Sequence, residues 1–211
     1  PMAMVRQTSV AETAKLDFAN GIRSMMRQDP DVILVGESRD ADTAEMAFRA
    51  AMTGHQVYST LHTNSAIGAI PRLLDIGVLP DIMAGNIIGV IAQRLVRRLC
   101  PHCRSSYRAS PTEASVLGKG GDKEAPLLYR AGSCDKCHYQ GYRGRIAIME
   151  VLRMDGDIDE LIAQRATARE FRKAANAKGF RSLAEDAVRR VLEGTTSLDE
   201  VSRVIDLTER M

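Results

Sequence analysis

Apolar residues change their spacing along the chain in ways that mark out its elements. Between residues 9 and 28, Phe18, Ile22, Met25 and Met26 recur at i, i+4, i+7 and i+8. That is the stripe of an amphipathic helix with one side in a core. Ser9 and Glu12 have capping-box spacing at its start. Pro30 ends it, because the ring disfavours helical geometry in the preceding residue. Val32 to Val35 form an unbroken, mostly β-branched run, expected as a strand buried on both faces of a parallel sheet. Asp42 and Glu45 repeat the cap spacing ahead of a helix from Ala44 to Met52 that closes at Gly54, and a second strand is expected from Gln56 to Leu61. Strand, helix, strand in that order predicts a right-handed crossover and parallel pairing. Further helices are expected from Ala66 to Ile76, with Ile67, Ile70, Leu73 and Leu74 on the apolar face, and from Asp81 to about Ile91. Gln93 to Leu99 then read as a possible strand.

The pattern changes at Cys100. Pro111 to Leu117 carry a short helix start, Gly118 to Gly121 a turn, Gly141 to Arg145 another turn, and Ile146 to Leu152 a strand. Thr167/Glu170, Ser182/Glu185 and Ser197/Glu200 all have capping-box spacing. Gly179 and Gly194 stand where helices end. Residues 157 to 210 are therefore expected to form a small helical bundle, with an α/β arrangement before them.

Two places carry chemistry. The first strand stops at Gly36-Glu37, and the second leads to His62 and Thr63. Both fall at the carboxyl edge of a parallel sheet, where open α/β folds bind ligands. A carboxylate and an imidazole there can position water and respond to a phosphate charge. The plainer alternative makes Glu37 a helix cap and His62 an ordinary surface histidine. The second place is a pair of C-x-x-C knuckles, Cys100/Cys103 and Cys134/Cys137, separated by residues 104–133. Each knuckle presents two thiolates, and two complete a closed four-cysteine zinc site with no position left for a catalytic water. The spacer is longer than that of simple zinc ribbons, but loop closure costs grow slowly with length. Four unrelated cysteines would not fall into two such pairs. His102 and His138 lie beside the knuckles as weaker candidates.

Composition narrows the function classes. The chain has 211 residues, 45% hydrophobic and 27% charged, with a net charge of +2, which fits one domain or one domain with appendages. The basic residues are spread out except at Arg94, Arg97, Arg98 and Arg104. Aromatics make up 4% and Trp is absent, which counts against a base-stacking nucleic-acid surface. No apolar run is long enough to span a membrane, and the opening residues lack a secretory signal. The expectation is a cytoplasmic protein without nucleic acid as a partner, in which four cysteines serve metal binding rather than disulfides.

The motifs RQDPDVILVGESRD (27–40), TGHQVYSTLHTN (53–64), AQRLVRRLCPHC (92–103), SCDKCHYQGYRGR (133–145) and GTTSLDEV (194–201) resemble the bacterial secretion ATPases that drive type II secretion and type IV pilus assembly. The resemblance covers nearly all of residues 5–207. Pilus retraction ATPases resemble the first half but lack the tetracysteine insertion, so the chain is placed with the secretion and assembly members. The implied fold is α/β: part of a RecA-like P-loop ATPase domain over residues 1–99, a tetracysteine zinc subdomain over 100–145, and a strand with a C-terminal helical region over 146–211.

By this resemblance Glu37 is the Walker B glutamate that polarises the attacking water, with Gly36 where a usual Walker B has an aspartate. His62 contacts or senses the γ-phosphate. His55, Arg39 and Asp40 are weaker nucleotide-linked candidates. His55 ranks below His62 because seven extended positions span about 23 Å, too far for both to touch one phosphate. The resemblance further implies ATP and Mg²⁺ as cofactors, structural Zn²⁺ on Cys100, Cys103, Cys134 and Cys137, a homohexamer, and partners among inner-membrane platform proteins with peripheral attachment there. No G-x-x-x-x-G-K-[ST] phosphate loop occurs in the sequence, and the family's acidic box is missing too. The chain is thus expected to begin inside the ATPase domain, as a shortened product, and not to hydrolyse ATP alone. The alternative is a non-catalytic zinc module that docks on membrane-assembly proteins.

Overall fold

In the computed structural model, residues 5–11 and 16–207 are described. The chain divides into two compact units, one formed by residues up to 90 with 152–178, the other by 91–151 with the residues from 179.

In the first unit, helix α1 (Phe18–Met25) begins later than the periodicity suggests. Asp17 caps it, accepting from the Asn20 N–H at 2.7 Å. Ser9 lies in irregular chain, and Glu12, its expected capping partner, falls outside the described residues. The expected stripe does face a core. Ala19 and Ile22 of α1 pack with Ile33, Val35, Met46, Ala47 and Ala50, joined by Phe18, Met25 and Met26.

Strand β1 (Val32–Leu34) pairs in parallel with β2 (Gln56–Tyr58), Ile33 opposite Val57. Helix α2 (Ala41–Met52) connects them, as the strand–helix–strand pattern predicts. One expectation fails here. Ile33 is buried, but Val32 and Leu34 are 57% and 65% exposed. The core formed with α1 and α2 lies on the Ile33 side, and among the described residues nothing covers the opposite side.

Helix α3 (Ala69–Asp75) ends at Gly77, whose φ of 101° is a left-handed cap. The long helix expected from Asp81 is only α4 (Pro80–Met83). Gly85, at φ 77°, turns the chain away, and β3 (Gly89–Leu99) takes over earlier than expected. Helices α6 (Gly156–Ala163) and α7 (Ala168–Ala177) complete this unit. Asp155 caps α6 and also accepts from Lys178 at 2.6 Å.

In the second unit β3 lies beside β6 (Tyr142–Arg153). Residues expected as a turn before Ile146 therefore already belong to a strand. Strands β4 (Ser105–Arg108) and β5 (Leu127–Arg130) pair antiparallel, Ser105 opposite Arg130. The chain between them holds α5 (Pro111–Val116), closed by a Ser110/Glu113 capping box. Helices α8 (Leu183–Leu192) and α9 (Leu198–Ser202) pack against β5. The tail is thus not one bundle, since α6 and α7 belong to one unit and α8 and α9 to the other. Its cap signals read correctly at Thr167 and Ser182. At Ser197 only half a box forms, because the Glu200 carboxylate is engaged elsewhere.

Candidate functional site

The parallel pair continues past the strands and brings Glu37 opposite His62. Val35 N–H donates to Tyr58 O at 2.8 Å and Ser38 N–H to Thr60 O at 3.0 Å. The Thr60 hydroxyl donates to Gly36 O at 2.6 Å, and the Ser38 and Ser59 hydroxyls meet at 2.8 Å. These bonds leave His62 Nε2 at 3.3 Å from Glu37 Oε2. Arg39 Nε reaches the same oxygen at 2.5 Å. A carboxylate oxygen only accepts, so Nε2 of His62 carries the proton in this pairing. Both donors converge on Oε2. The Glu37 side chain is 22% exposed, against 78% for His62, so the carboxylate is sheltered yet open to water.

Gly36 has a steric basis. A Cβ there would stand 3.3 Å from the Phe18 ring, so an aspartate at this position would crowd α1.

Two of the weaker candidates are elsewhere. Asp40 caps α2, accepting from the Thr43 N–H at 2.8 Å and the Thr43 hydroxyl at 3.1 Å. The expected Asp42/Glu45 cap is thereby corrected, and Glu37 is not the helix cap that the plainer reading made it. Asp40→Ala is expected to destabilise the chain by about 1 kcal/mol, measured by urea denaturation. His55 sits at the other end of β2, with Nδ1 at 3.0 Å from Ala50 O and 3.1 Å from the Thr53 hydroxyl. The Ala50 carbonyl only accepts, so Nδ1 holds the hydrogen and ties the end of α2 to the start of β2.

The four cysteines come together in the second unit. Cys100 follows β3 directly, Cys103 precedes β4, and Cys134 caps the 3₁₀ turn that Cys137 ends. Sγ–Sγ distances are 3.9 Å for Cys100–Cys134, 3.8 Å for Cys103–Cys137 and 3.7 Å for Cys134–Cys137. All four sulfurs lie within 4.8 Å of one another. Four sulfurs about 2.3 Å from a tetrahedral ion would stand about 3.8 Å apart, so this set fits a metal ion. Backbone geometry supports the cluster. Gly132 lies so close to the Cys103 carbonyl that no side chain fits, and the Gly141 N–H donates to Cys137 Sγ at 3.2 Å.

Burial and the neighbouring thiols push Cys103 up to about 12, and burial raises Cys134. Burial acts upward on Cys137 as well, but hydrogen bonding at Cys134 and Gly141 outweighs it and brings that thiol down to about 6. A cation favours the thiolates throughout. His102 and His138 are exposed and lie outside the cluster.

The basic run read from the sequence is partly committed inside this unit. Arg97 donates to Glu200 Oε2 from Nη2 at 2.6 Å and from Nε at 3.0 Å, and its N–H to Oε1 at 3.0 Å. Its guanidinium lies 4.1 Å from the centre of the Tyr142 ring. Arg104 donates to the Gly194 carbonyl and stacks 4.7 Å from the Tyr129 ring. The sequence signals for this network were present, but Glu200 resembled a cap and the arginines a surface run.

Residues 1–203 match the family described as Type II/IV secretion system protein. The chain belongs to this family. Among its relatives, the Type II secretion system protein E of Pseudomonas aeruginosa is 48% identical over 95% of this chain and 39% of that protein. The Type IV pilus assembly ATPase TfpB of Acinetobacter baylyi is 44% identical over 96% of this chain and 35% of that protein. The chain therefore spans less than two fifths of the length of these family members. The α/β fold also matches the crystal structure of the pilus retraction motor PilT with bound ADP, with a TM-score of 0.59 and 26% identity over 92% of this chain and 46% of that one. Among the described residues no helix is long and apolar enough to cross a membrane.

Proposed function

We propose that this chain is part of the motor that couples ATP hydrolysis to type II secretion or type IV pilus assembly. The observation that carries the reading is the meeting of Glu37 and His62 at the carboxyl ends of two parallel strands. Glu37 is the general base for the attacking water, with Oε2 held by Arg39 and His62 and Oε1 facing the water. His62, the most exposed of the three, contacts the γ-phosphate and links its presence to the carboxylate. Arg39 orients Glu37 rather than touching nucleotide, and Asp40 and His55 hold α2 in place. ATP and Mg²⁺ are the cofactors of the full-length enzyme, a homohexamer acting at the cytoplasmic side of the inner membrane with platform proteins of the assembly. Cys100, Cys103, Cys134 and Cys137 hold a structural zinc, which supplies fold stability and takes no part in hydrolysis. Residues 1–99, 100–145 and 146–211 correspond to core, zinc region and tail in sequence terms.

In the full-length enzyme, Glu37→Gln is expected to lower kcat by about 10²–10⁴-fold, the usual contribution of a positioned base, while nucleotide binding persists. Turnover unchanged by that substitution would refute the assignment. The 211-residue chain holds no phosphate-loop motif and is expected to show no ATP turnover alone. Glu37-dependent turnover by the purified chain would contradict this.

A further inference from the structure

The segment Gly194–Glu200 is held by residues that crowd the cysteines. Leu99 N–H donates to Thr195 O at 2.9 Å, and Arg97 O accepts from the Thr196 hydroxyl at 2.8 Å. Arg97 also grips Glu200, and the Tyr142 hydroxyl meets Ser197 Oγ at 2.7 Å. Arg104 holds the Gly194 carbonyl. The Tyr129 ring lies against Gly194 so closely that a Cβ there would overlap it, and φ at Gly194 is 68°. Each of the five contacting residues, Arg97, Leu99, Arg104, Tyr129 and Tyr142, lies within five positions of a cysteine of the cluster. Thr196, Ser197 and Val201 are 0–2% exposed, so the segment's side of these contacts is sheltered from water.

We propose that the four-cysteine site and the segment Gly194–Leu207 are one thermodynamic unit, a clasp whose closure depends on bound metal. The inference rests on the zinc reading above. Arg97 and Leu99 come from the strand that leads into Cys100, Arg104 follows Cys103, and Tyr142 follows the Cys137 knuckle. Fixing the four sulfurs around one ion fixes all three approaches to the segment at once. Release of the ion lets the knuckles separate and frees α9 and Glu200. Coupling of this kind is reciprocal, so loosening the segment must weaken metal binding by the same factor.

The test uses the whole chain in reduced form. Zinc content is measured first by atomic emission, with one ion per chain expected; a metal-free protein that takes up no added zinc removes the zinc reading itself. Hydrogen exchange in peptides covering 194–207 is then expected to quicken at least 10-fold on chelation, while peptides from α2 keep their rates. Glu200→Gln is expected to lower zinc affinity about 5–150-fold, read by competition with a chromophoric chelator. Tyr142→Phe, which loses only the bond to Ser197, is expected to shift affinity in the same direction by a smaller factor and covers the case in which the first variant does not fold. Zinc bound at one per chain, with affinity unchanged in both variants or with 194–207 indifferent to chelation, would overturn the clasp and leave the metal site standing.

Discussion

A chain with Cys100 and Cys137 both replaced by serine is expected to lose the cooperative unfolding of its second unit. Structural zinc contributes about 10–16 kcal/mol of binding free energy in small zinc peptides. That is comparable with the whole stability of a domain, about 5–15 kcal/mol. The unit has an apolar core of its own, with Val96, Leu128, Ile148 and Val191 buried, so residual helix is expected without a sharp transition. The first unit, which holds none of the four cysteines, is expected to keep its own. Calorimetry of the variant beside the zinc-loaded chain makes the comparison, and matching traces would rule out a metal as the source of stability.

Removing the Glu200 carboxylate is the second large effect. Glu200 is 6% exposed and accepts three hydrogen bonds from Arg97. Breaking a fully buried pair costs about 3–5 kcal/mol. The Arg97 side chain is 43% exposed, so water recovers part of its charge, and about 2–4 kcal/mol is expected for Glu200→Ala on that account. The hydrogen bonds from Arg97, opposed in part by burial, hold Glu200 below its ordinary range. A lowered folded value means the contribution is complete above the unfolded carboxylate value, about 4.3, and fades as pH falls through the folded one. Urea denaturation should therefore show a gap between wild type and variant that is constant from pH 7 to 5 and narrows below about pH 4. A gap that widened in acid would contradict this account.

Local signals and long-range ones differed in how far they could be read. The α1 stripe, the parallel pairing of two strands joined by a helix, the cysteine pairing and the caps at Thr167 and Ser182 depend on short-range patterns, and each appears in the structure. The meeting of Glu37 with His62 was legible too, because two short parallel strands fix which residues share an edge. The departures have physical causes. Asp40 competes with Asp42 for the start of α2 and wins because its side chain reaches the Thr43 N–H. The apolar run after Asp81 suited a helix until Gly85 turned it and the period became that of a strand. The exposed side of β1 could not be foreseen, since burial depends on what packs above a strand and not on the strand's composition. The Arg97–Glu200 contact joins residues 103 positions apart, and no spacing rule reports on a pair so distant.

The division of the tail between the units has a kinetic consequence. Residues 91–151 are completed by residues from 179 onward, and the first unit by 152–178, so the chain crosses from one to the other three times. During synthesis the cysteine region emerges long before Glu200, which pairs with Arg97 across 103 positions. Loops of that span are slow to close, because their entropy is lost before the contact rewards it. The four cysteines and the strand pairs β3–β6 and β4–β5 are all available once residue 153 has emerged, whereas the Arg97–Glu200 contact must wait for α9. An excised 100–145 piece would keep the sulfurs but lack α8 and α9, which pack against β5, leaving that strand a target for aggregation.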